Sequence, residues 1–436
     1  MKSSRAFPLR QAAILLFWMA VWQMAACFID NSIILVGPAK TLQALLRLLP
    51  DPEFWLSIAG SFGKISCGFL LALFAGIAAG SAACRFPLLR DFLEPAVTLM
   101  KSVPVASFVI LALIWTGSQH LAVLISFLVV FPILYVNTLA GLQSADIRLL
   151  EMARVFRVRP LRRVRFIYLP ALLPYLSGGC RVALGMSWKS GVAAEVIGIP
   201  DFSIGERLYL SKINLDTAGV FAWTAVVILL SVVFERAVLF LLSLFFRWEP
   251  SCRRSALKKE SGTEGRLLLS GVSKSYGELS VIKNLSASYG PGEQVLLQSP
   301  SGSGKTTLLF LLCGLEQPDE GSILRQGNCS MVFQEDRLCE DYSAVKNVEL
   351  VTGDRECAKR ALRELLEEEA LYKPCRELSG GMKRRVALVR ALEADSRILL
   401  LDEPFTGMDV QTRERAREYV EKRRKGRLLV MATHIY

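Results

Sequence analysis

The sequence predicts an α-helical transmembrane bundle of about six spans followed by an α/β domain with a parallel sheet. Three observations carry that prediction. Long apolar runs fill residues 1–246, positive charge gathers on one side of them, and residues 294–315 read as a strand, a glycine-rich turn and a helix start. With 436 residues and 52% hydrophobic content, the chain is too apolar for an ordinary soluble enzyme and too charged to lie wholly in lipid.

The apolar runs come first in the chain. Crossing a ~30 Å hydrocarbon core takes about 20 helical residues. Segments 12–29, 56–84, two within 97–142, 169–199 and 218–246 supply the six spans. The polar tip Gly117-Ser118-Gln119-His120 parts the third from the fourth. The fifth is interrupted by Pro170, Pro174, Gly178, Gly179 and Lys189. Lys64, Arg181, Lys189, Glu195 and Glu235 would each cost roughly 2.5–3.5 kcal/mol at a bilayer centre, so they are expected to meet partners on other helices, lie near the membrane edge or line a path.

Charge orients the bundle. Of the net charge of +12, residues 1–246 carry +9, from 21 Lys/Arg against 12 Asp/Glu. With a cytoplasmic N-terminus, 17 basic residues flank the spans inside, among them seven arginines from Arg148 to Arg165, against four outside. This follows the positive-inside rule, and an even number of spans returns the chain to the cytoplasm. A basic excess placed this way suits a lipid surface, not nucleic acid. Lys2 and Arg5 before an apolar run, with "MAAC" at 24–27, loosely fit a cleaved lipoprotein leader. Cleavage there would remove a span and leave the 294–315 turn outside, so an uncleaved span is preferred. Ten cysteines without C-x-x-C or zinc spacing read as reduced thiols.

Segment 149–176, "LLEMARVFRVRPLRRVRFIYLPALLPYL", is too rich in arginine to cross lipid and must lie on the cytoplasmic surface. It resembles the E-A-A loop of bacterial ABC-type import permeases, whose short helix sits in a groove of the ATPase. Glu151-Met152-Ala153 keeps the frame, while Arg157 stands where that motif has glycine. The resemblance implies a coupling role for Glu151, Ala153 and Arg157. "WKSGVAAEVIG" (188–198) looks like permeases of the nitrate, sulfonate and taurine group, which include importers of thiamine precursors. Charged and small residues at 247–265 then read as a linker with a basic membrane-edge anchor.

In the C-terminal part, "QVLLQSPSGSGKTTLLFLLCGL" (294–315) offers the strand–turn–helix context of a phosphate-binding loop. Gly302 and Gly304 let backbone N–H groups turn toward phosphate, and the helix start adds favourable partial charge. Lys305 can reach β/γ-phosphates, and the Thr306 hydroxyl can hold Mg²⁺. Ser299 replaces the first glycine of G-x-x-x-x-G-K-[ST]; if that position needs a left-handed backbone, the strain is on the order of 1 kcal/mol. "RILLLDEPF" (397–405) is a continuous apolar strand ending in Asp402, placed for metal, and Glu403, placed to polarise water. "LSGGMKRRVALVRAL" (378–392) opens a basic amphipathic helix at Ser379-Gly380-Gly381. "VFQED", "TGMD" and "MATH" add Gln334, Asp409 and His434.

In this order the motifs resemble the nucleotide-binding domain of an ABC transporter over about 266–436. The resemblance implies ATP and Mg²⁺ as cofactors, with Tyr276 stacking on adenine. Ser299, Pro300, Ser301, Gly302, Ser303, Gly304, Lys305, Thr306 and Thr307 would form the phosphate loop, with Thr306, Gln334 and Asp402 on the metal. Glu403, His434 and Gln334 would serve hydrolysis, and Ser379, Gly380, Gly381 and Asp409 the facing side of the site. The expected division is a permease domain at 1–246, the linker at 247–265 and the ATPase domain at 266–436. The short span from Gly321 to Gln334 suggests a trimmed β-subdomain, and the short segment before the signature a reduced helical one. The end two residues after His434 suggests a truncated domain with an uncovered sheet edge.

The implied function is ATP-driven import of a small anionic or heterocyclic solute across the cytoplasmic membrane, fed by a separate extracytoplasmic binding protein. A second copy, or a paralogous half-transporter, would complete twelve spans and two ATP sites. An exporter, or a degenerate ATP-binding scaffold, is the alternative.

Overall fold

The structure, a computed structural model, describes residues 6–247, 265–300 and 302–433. The chain divides into two compact units. One holds Met1–Ser144 and Leu172–Glu249, the other Ala145–Ala171 and Pro250–Tyr436. The arginine-rich segment therefore belongs to the second unit, apart from the membrane helices that precede and follow it.

The first unit is all helical: α1 (Ala6–Ile29), α2 (Pro38–Leu48), α3 (Pro52–Arg85), α4 (Pro87–Ser102) and α5 (Val105–Gln143). Among the described residues, four helices are long and apolar enough to cross a membrane: α3, α5, the stretch Pro160–Gly198, and Thr217–Leu244; Ala13–Ile29 is shorter. The six expected segments are thus helical but unequal. Gly117 breaks α5 with φ 69° and ψ 174°, at the polar tip read from the sequence. Leu99, Val105 and Phe108 line one apolar cavity with Ile125, Leu128 and Val129, so the chain folds back at this break. The piece before the break, 105–116, is shorter than a full span and the piece after it is not, which is why two equal spans are not seen.

Helix packing without water between helices depends on close approach, which small side chains permit. A Cβ on Gly68 would meet the Val123 carbonyl, and Cβ atoms on Gly76 and Gly80 would lie 2.9 Å from Leu134 Cβ and 2.8 Å from Thr138 Cβ. This seam joins α3 to the second half of α5. Glu195, fully buried, accepts from Ser61 Oγ at 2.6 Å and from the Gly205 amide at 3.3 Å. A partner on another helix is therefore what this carboxylate meets. Arg181 and Lys189 are exposed.

The second unit begins with α6 (Ile147–Val155) and the one-turn α7 (Pro160–Arg163), followed by a π-helical turn at Val164–Tyr168. The next helix, α8 (Leu169–Gly198), returns to the first unit, which α9 (Ile204–Ile213) and α10 (Thr217–Arg247) complete. Beyond the linker, of which 248–264 lie outside the described residues, come β1 (Arg266–Tyr276), β2 (Leu279–Tyr289) and β3 (Gln294–Gln298). Then follow α11 (Lys305–Cys313), β4 (Glu320–Gln326), β5 (Cys329–Val332), α12 (Ala344–Thr352), α13 (Arg355–Arg363) and α14 (Glu368–Tyr372). Last come α15 (Gly380–Glu393), β6 (Ile398–Asp402), α16 (Val410–Arg424) and β7 (Leu428–Thr433).

Two sheets result: an antiparallel one, β2-β1-β4, and a parallel one, β3-β7-β6-β5. Every residue of β6 is buried, as the unbroken run Ile398-Leu399-Leu400-Leu401 requires of a strand covered on both faces. Because the strands of this sheet run parallel, their carboxyl ends meet at one edge, where β3 and β6 deliver the glycine-rich turn and the two carboxylates. The short β4–β5 connection, Gly327-Asn328, matches the compact Gly321–Gln334 span.

Gly68→Ala is expected to destabilise the first unit by about 1–3 kcal/mol through overpacking. Gly63→Ala, where a Cβ meets nothing within 4 Å, should be neutral or gain up to ~1 kcal/mol from helix propensity. Thermal unfolding of the detergent-purified variants, read by size-exclusion recovery, separates the two outcomes.

Candidate functional site

At the end of β3 the chain turns through Ser299, Pro300, Gly302, Ser303 and Gly304 into α11; Ser301 lies outside the described residues. Gly302 (φ 82°) and Gly304 (φ 87°) are left-handed, and a Cβ on Gly304 would strike Val281 Cγ1. These two positions need glycine for different reasons: Gly302 for its backbone angle in open space, Gly304 for angle and space together. Ser299 is not among the residues with positive φ, so the strain expected from its lost glycine does not arise. Lys305 Nζ donates to the carbonyls of Ser299 and Pro300, which holds the lysine over the turn it opens from.

Across the sheet edge, Thr306 Oγ1 donates to Asp402 Oδ2 at 2.8 Å. Burial raises the Asp402 pKa, the Thr306 hydrogen bond opposes that shift, and the neighbouring Glu403 charge adds to it. A hydroxyl and a buried carboxylate converging beside a glycine cradle are the donor set a magnesium-bound phosphate requires. Glu403 follows with φ 46°, a strained angle for a residue with a side chain, and its amide donates to the Ala432 carbonyl at 3.1 Å. Gln334 is exposed just past β5. β7 ends at Thr433, and His434 lies outside the described residues.

Tyr276 closes β1. Its hydroxyl donates to the Glu316 carboxylate, and burial, then that bond, raise its pKa, while a hydrogen bond with Thr307 acts oppositely. Tyr276 and the glycine-rich turn are thus tied through Thr307. Ser379 caps α15 by accepting from the Met382 amide at 3.3 Å. Gly380 is open, whereas a Cβ on Gly381 would lie 2.9 Å from the Gly407 carbonyl. Asp409, next in that loop, caps α16 by accepting from the Thr412 amide at 2.9 Å, which lowers its pKa. Among the described residues, no hydrogen bond joins Ser379 or Gly380 to Lys305 or Thr306. The site predicted from the sequence is therefore in two parts: a loop-and-carboxylate part, and a signature part beside Gly407.

Sequence reasoning read α15 as a basic amphipathic helix, but Arg384 and Arg390 are buried. Arg390 donates to the carbonyls of Asp336 and Arg337, both at 2.8 Å, and burial depresses its pKa to about 10. Arg337 in turn stacks on Phe333, 4.1 Å from the ring centroid, and pairs with Glu151 at 2.7 Å. Arg148 pairs with Glu335 at 2.9 Å, and Arg162 donates to the Leu350 carbonyl at 3.0 Å. Met152 and Ala153 are fully buried in one apolar cluster with Phe333 and Cys339. Arginines in a sequence advertise charge; that these are internal staples could have been suspected only from the apolar residues on every side of Arg390.

Arg157 has φ 49°, so the position where the E-A-A motif carries glycine does adopt a left-handed backbone. The two departures from glycine thus differ: Ser299 is unstrained and Arg157 is not.

Fold and site together define a P-loop nucleotide-binding cassette joined in one chain to a helical membrane domain. Residues 282–406 match the family described as ABC transporter, and residues 68–243 match the binding-protein-dependent transport system inner membrane component. The aliphatic sulfonates import ATP-binding protein of Rhodococcus jostii (strain RHA1) is 40% identical over 172 residues, 38% of this chain and 63% of that protein. Its namesake in Shouchella clausii (strain KSM-K16) is 41% identical over 174 residues, 38% of this chain and 70% of that protein. A sulfate/thiosulfate import ATP-binding protein of Bacillus cereus (strain ATCC 10987 / NRS 248) is 36% identical over 177 residues, covering 35% and 50%. The chain spans 63% of the first of these relatives. It belongs to the ABC transporter family, as an import-type permease domain fused to its ATPase domain, and it is a membrane protein.

Relief of the left-handed strain at Arg157 should exceed the entropy that glycine adds to the unfolded chain. Arg157→Gly is expected to gain about 0.5–1 kcal/mol, and Ser299→Gly to lose a similar amount. Differential scanning fluorimetry of the two variants should give shifts of opposite sign.

Proposed function

We propose that the protein hydrolyses ATP to drive import of a small anionic solute across the cytoplasmic membrane. The supporting observation is the pairing of Thr306 with Asp402 beside the Gly302–Gly304 turn and next to Glu403. In this reading residues 1–246 form the permease, 247–265 the linker and 266–436 the ATPase, with the 145–171 segment as its docking arm.

The backbone N–H groups of the Gly302–Thr307 turn wrap the phosphates, and Lys305 moves from the Ser299 and Pro300 carbonyls onto them. Thr306, Asp402 and Gln334 hold Mg²⁺, which when bound neutralises phosphate charge. Glu403 orients and polarises the attacking water, His434 serves hydrolysis with it, and Tyr276 stacks on adenine. Ser379, Gly380, Gly381 and Asp409 act on the nucleotide of a second copy, or of a paralogous partner, which explains a signature part separate from the loop part. Glu151, Ala153 and Arg157 carry the movement of the Gln334 loop toward the membrane domain. A separate extracytoplasmic binding protein delivers the solute, and sulfonate- or sulfate-like oxyanions lead the candidates because the relatives are named for them.

Purified full-length protein in nanodiscs tests this directly. Magnesium-dependent ATP turnover is expected, and Glu403→Gln should lower kcat by about 10²–10³ while nucleotide binding persists. Full turnover in Glu403→Gln removes the general-base assignment, and lack of turnover in the wild type removes the transport ATPase.

The Glu151–Arg337 pair is largely shielded from water, with side-chain exposures of 32% and 9%. Glu151→Ala should weaken transport in proteoliposomes by roughly tenfold, corresponding to about 1.4 kcal/mol for a lost charge-assisted bond. The exchange Glu151→Arg with Arg337→Glu should restore part of it. Equal transport in all three proteins would show that this pair carries no coupling.

A further inference from the structure

Arg384, on α15, is 4% exposed. Its Nη1 donates to the Phe333 carbonyl at 2.5 Å, with the Gln334 carbonyl at 3.3 Å and an Asp336 carboxylate oxygen at 3.2 Å. Its Nη2 donates to the carbonyls of Asp402 at 2.6 Å and Glu403 at 2.7 Å. One guanidinium therefore spans two chain segments that leave the sheet side by side.

The location of this bridge gives it meaning. The parallel pairing of β5 with β6 ends at Val332↔Leu401. Phe333 and Gln334 on one side, and Asp402 and Glu403 on the other, lie just past the last pairs of that ladder. Arg384 replaces it there, with a planar fork whose spacing is set by covalent bonds and whose charge is permanent. Glu403 depends on this most. Its left-handed backbone, φ 46°, costs roughly 1–2 kcal/mol for an L-residue. It is held from both sides, by the amide bond to Ala432 and by Arg384 on its carbonyl. Without the arginine, the backbone can relax toward the right-handed region and turn the carboxylate away from its aim.

We infer that Arg384 is a positioning residue for ATP hydrolysis: it fixes the backbones of Gln334 and Glu403 relative to one another without touching nucleotide. This rests on the ATPase reading above. Lysine at this place keeps the charge but offers a single point that cannot fork across both pairs of carbonyls.

The test uses the full chain in nanodiscs. Arg384→Lys is expected to lower kcat about 100-fold, as for a misaimed reacting group, with the Kd for magnesium-free ATP and the unfolding temperature nearly unchanged. In single-turnover measurements on a Glu403→Gln background, Arg384→Lys should add little further loss, because both changes remove the same aimed carboxylate. Wild-type kcat in Arg384→Lys, or the same fold-loss with and without Glu403, overturns the inference. If Arg384→Lys fails to fold, Arg384→Gln, which removes the buried cation, is read by the same measurements; failure of both to fold assigns Arg384 to the scaffold and overturns the inference too. Absence of turnover in the wild type would remove the ATPase reading, a result distinct from an active wild type matched by Arg384→Lys.

Discussion

The parallel register of β3, β7, β6 and β5 is the constraint on which the rest of the second unit depends. Pairing of Gln298 with Thr433 and of Asp402 with Ala432 brings three strand ends to one line. Only then can the first helical turn after β3 place Thr306 Oγ1 2.8 Å from the carboxylate that ends β6. Burial makes this carboxylate costly to ionise, and the hydroxyl offsets part of that cost. The same low dielectric that raises its pKa strengthens any cation it meets. A site of this kind is therefore poised by the sheet, with the loops adding donors to a geometry already set.

Where the sheet's ladder stops, arginine takes over. Arg384 and Arg390 reach from α15 to backbone carbonyls between Phe333 and Glu403, and Arg337 passes from the Phe333 ring to Glu151. Each carries a charge into a region where an unpaired one would be expensive; Arg384 and Arg390 are held by several carbonyls, and Arg337 by one carboxylate and the faces of Phe310 and Phe333. The arm at 145–171 enters this network through Arg148 and Glu151 and through the buried Met152 and Ala153. A polar network of fixed donors transmits position better than an apolar contact, because its bonds are directional.

The first unit solves a different problem. Its helices meet through Gly68, Gly76 and Gly80, where backbones approach, since lipid removes the hydrophobic drive for helix association. Glu195 accepts through one oxygen from both Ser61 and the Gly205 amide at the start of α9, so this buried carboxylate binds helices together. Gly117 breaks α5 where a polar tip interrupts two apolar runs.

Much of this was legible in the chain itself. Apolar length and the placement of arginine foretold a membrane domain because the bilayer is a uniform solvent with a fixed thickness. Residues near in sequence, such as the turn from Ser299 to Thr306 and the cap at Ser379, were legible because their geometry is local. What only the tertiary structure decided were the contacts made across the fold. These include the backbone angles at Ser299 and Arg157, the pairing of Glu195 with Ser61, and the burial of Arg384 and Arg390. A sequence lists which donors exist; which carbonyls they meet depends on strands and helices brought together from far apart along the chain.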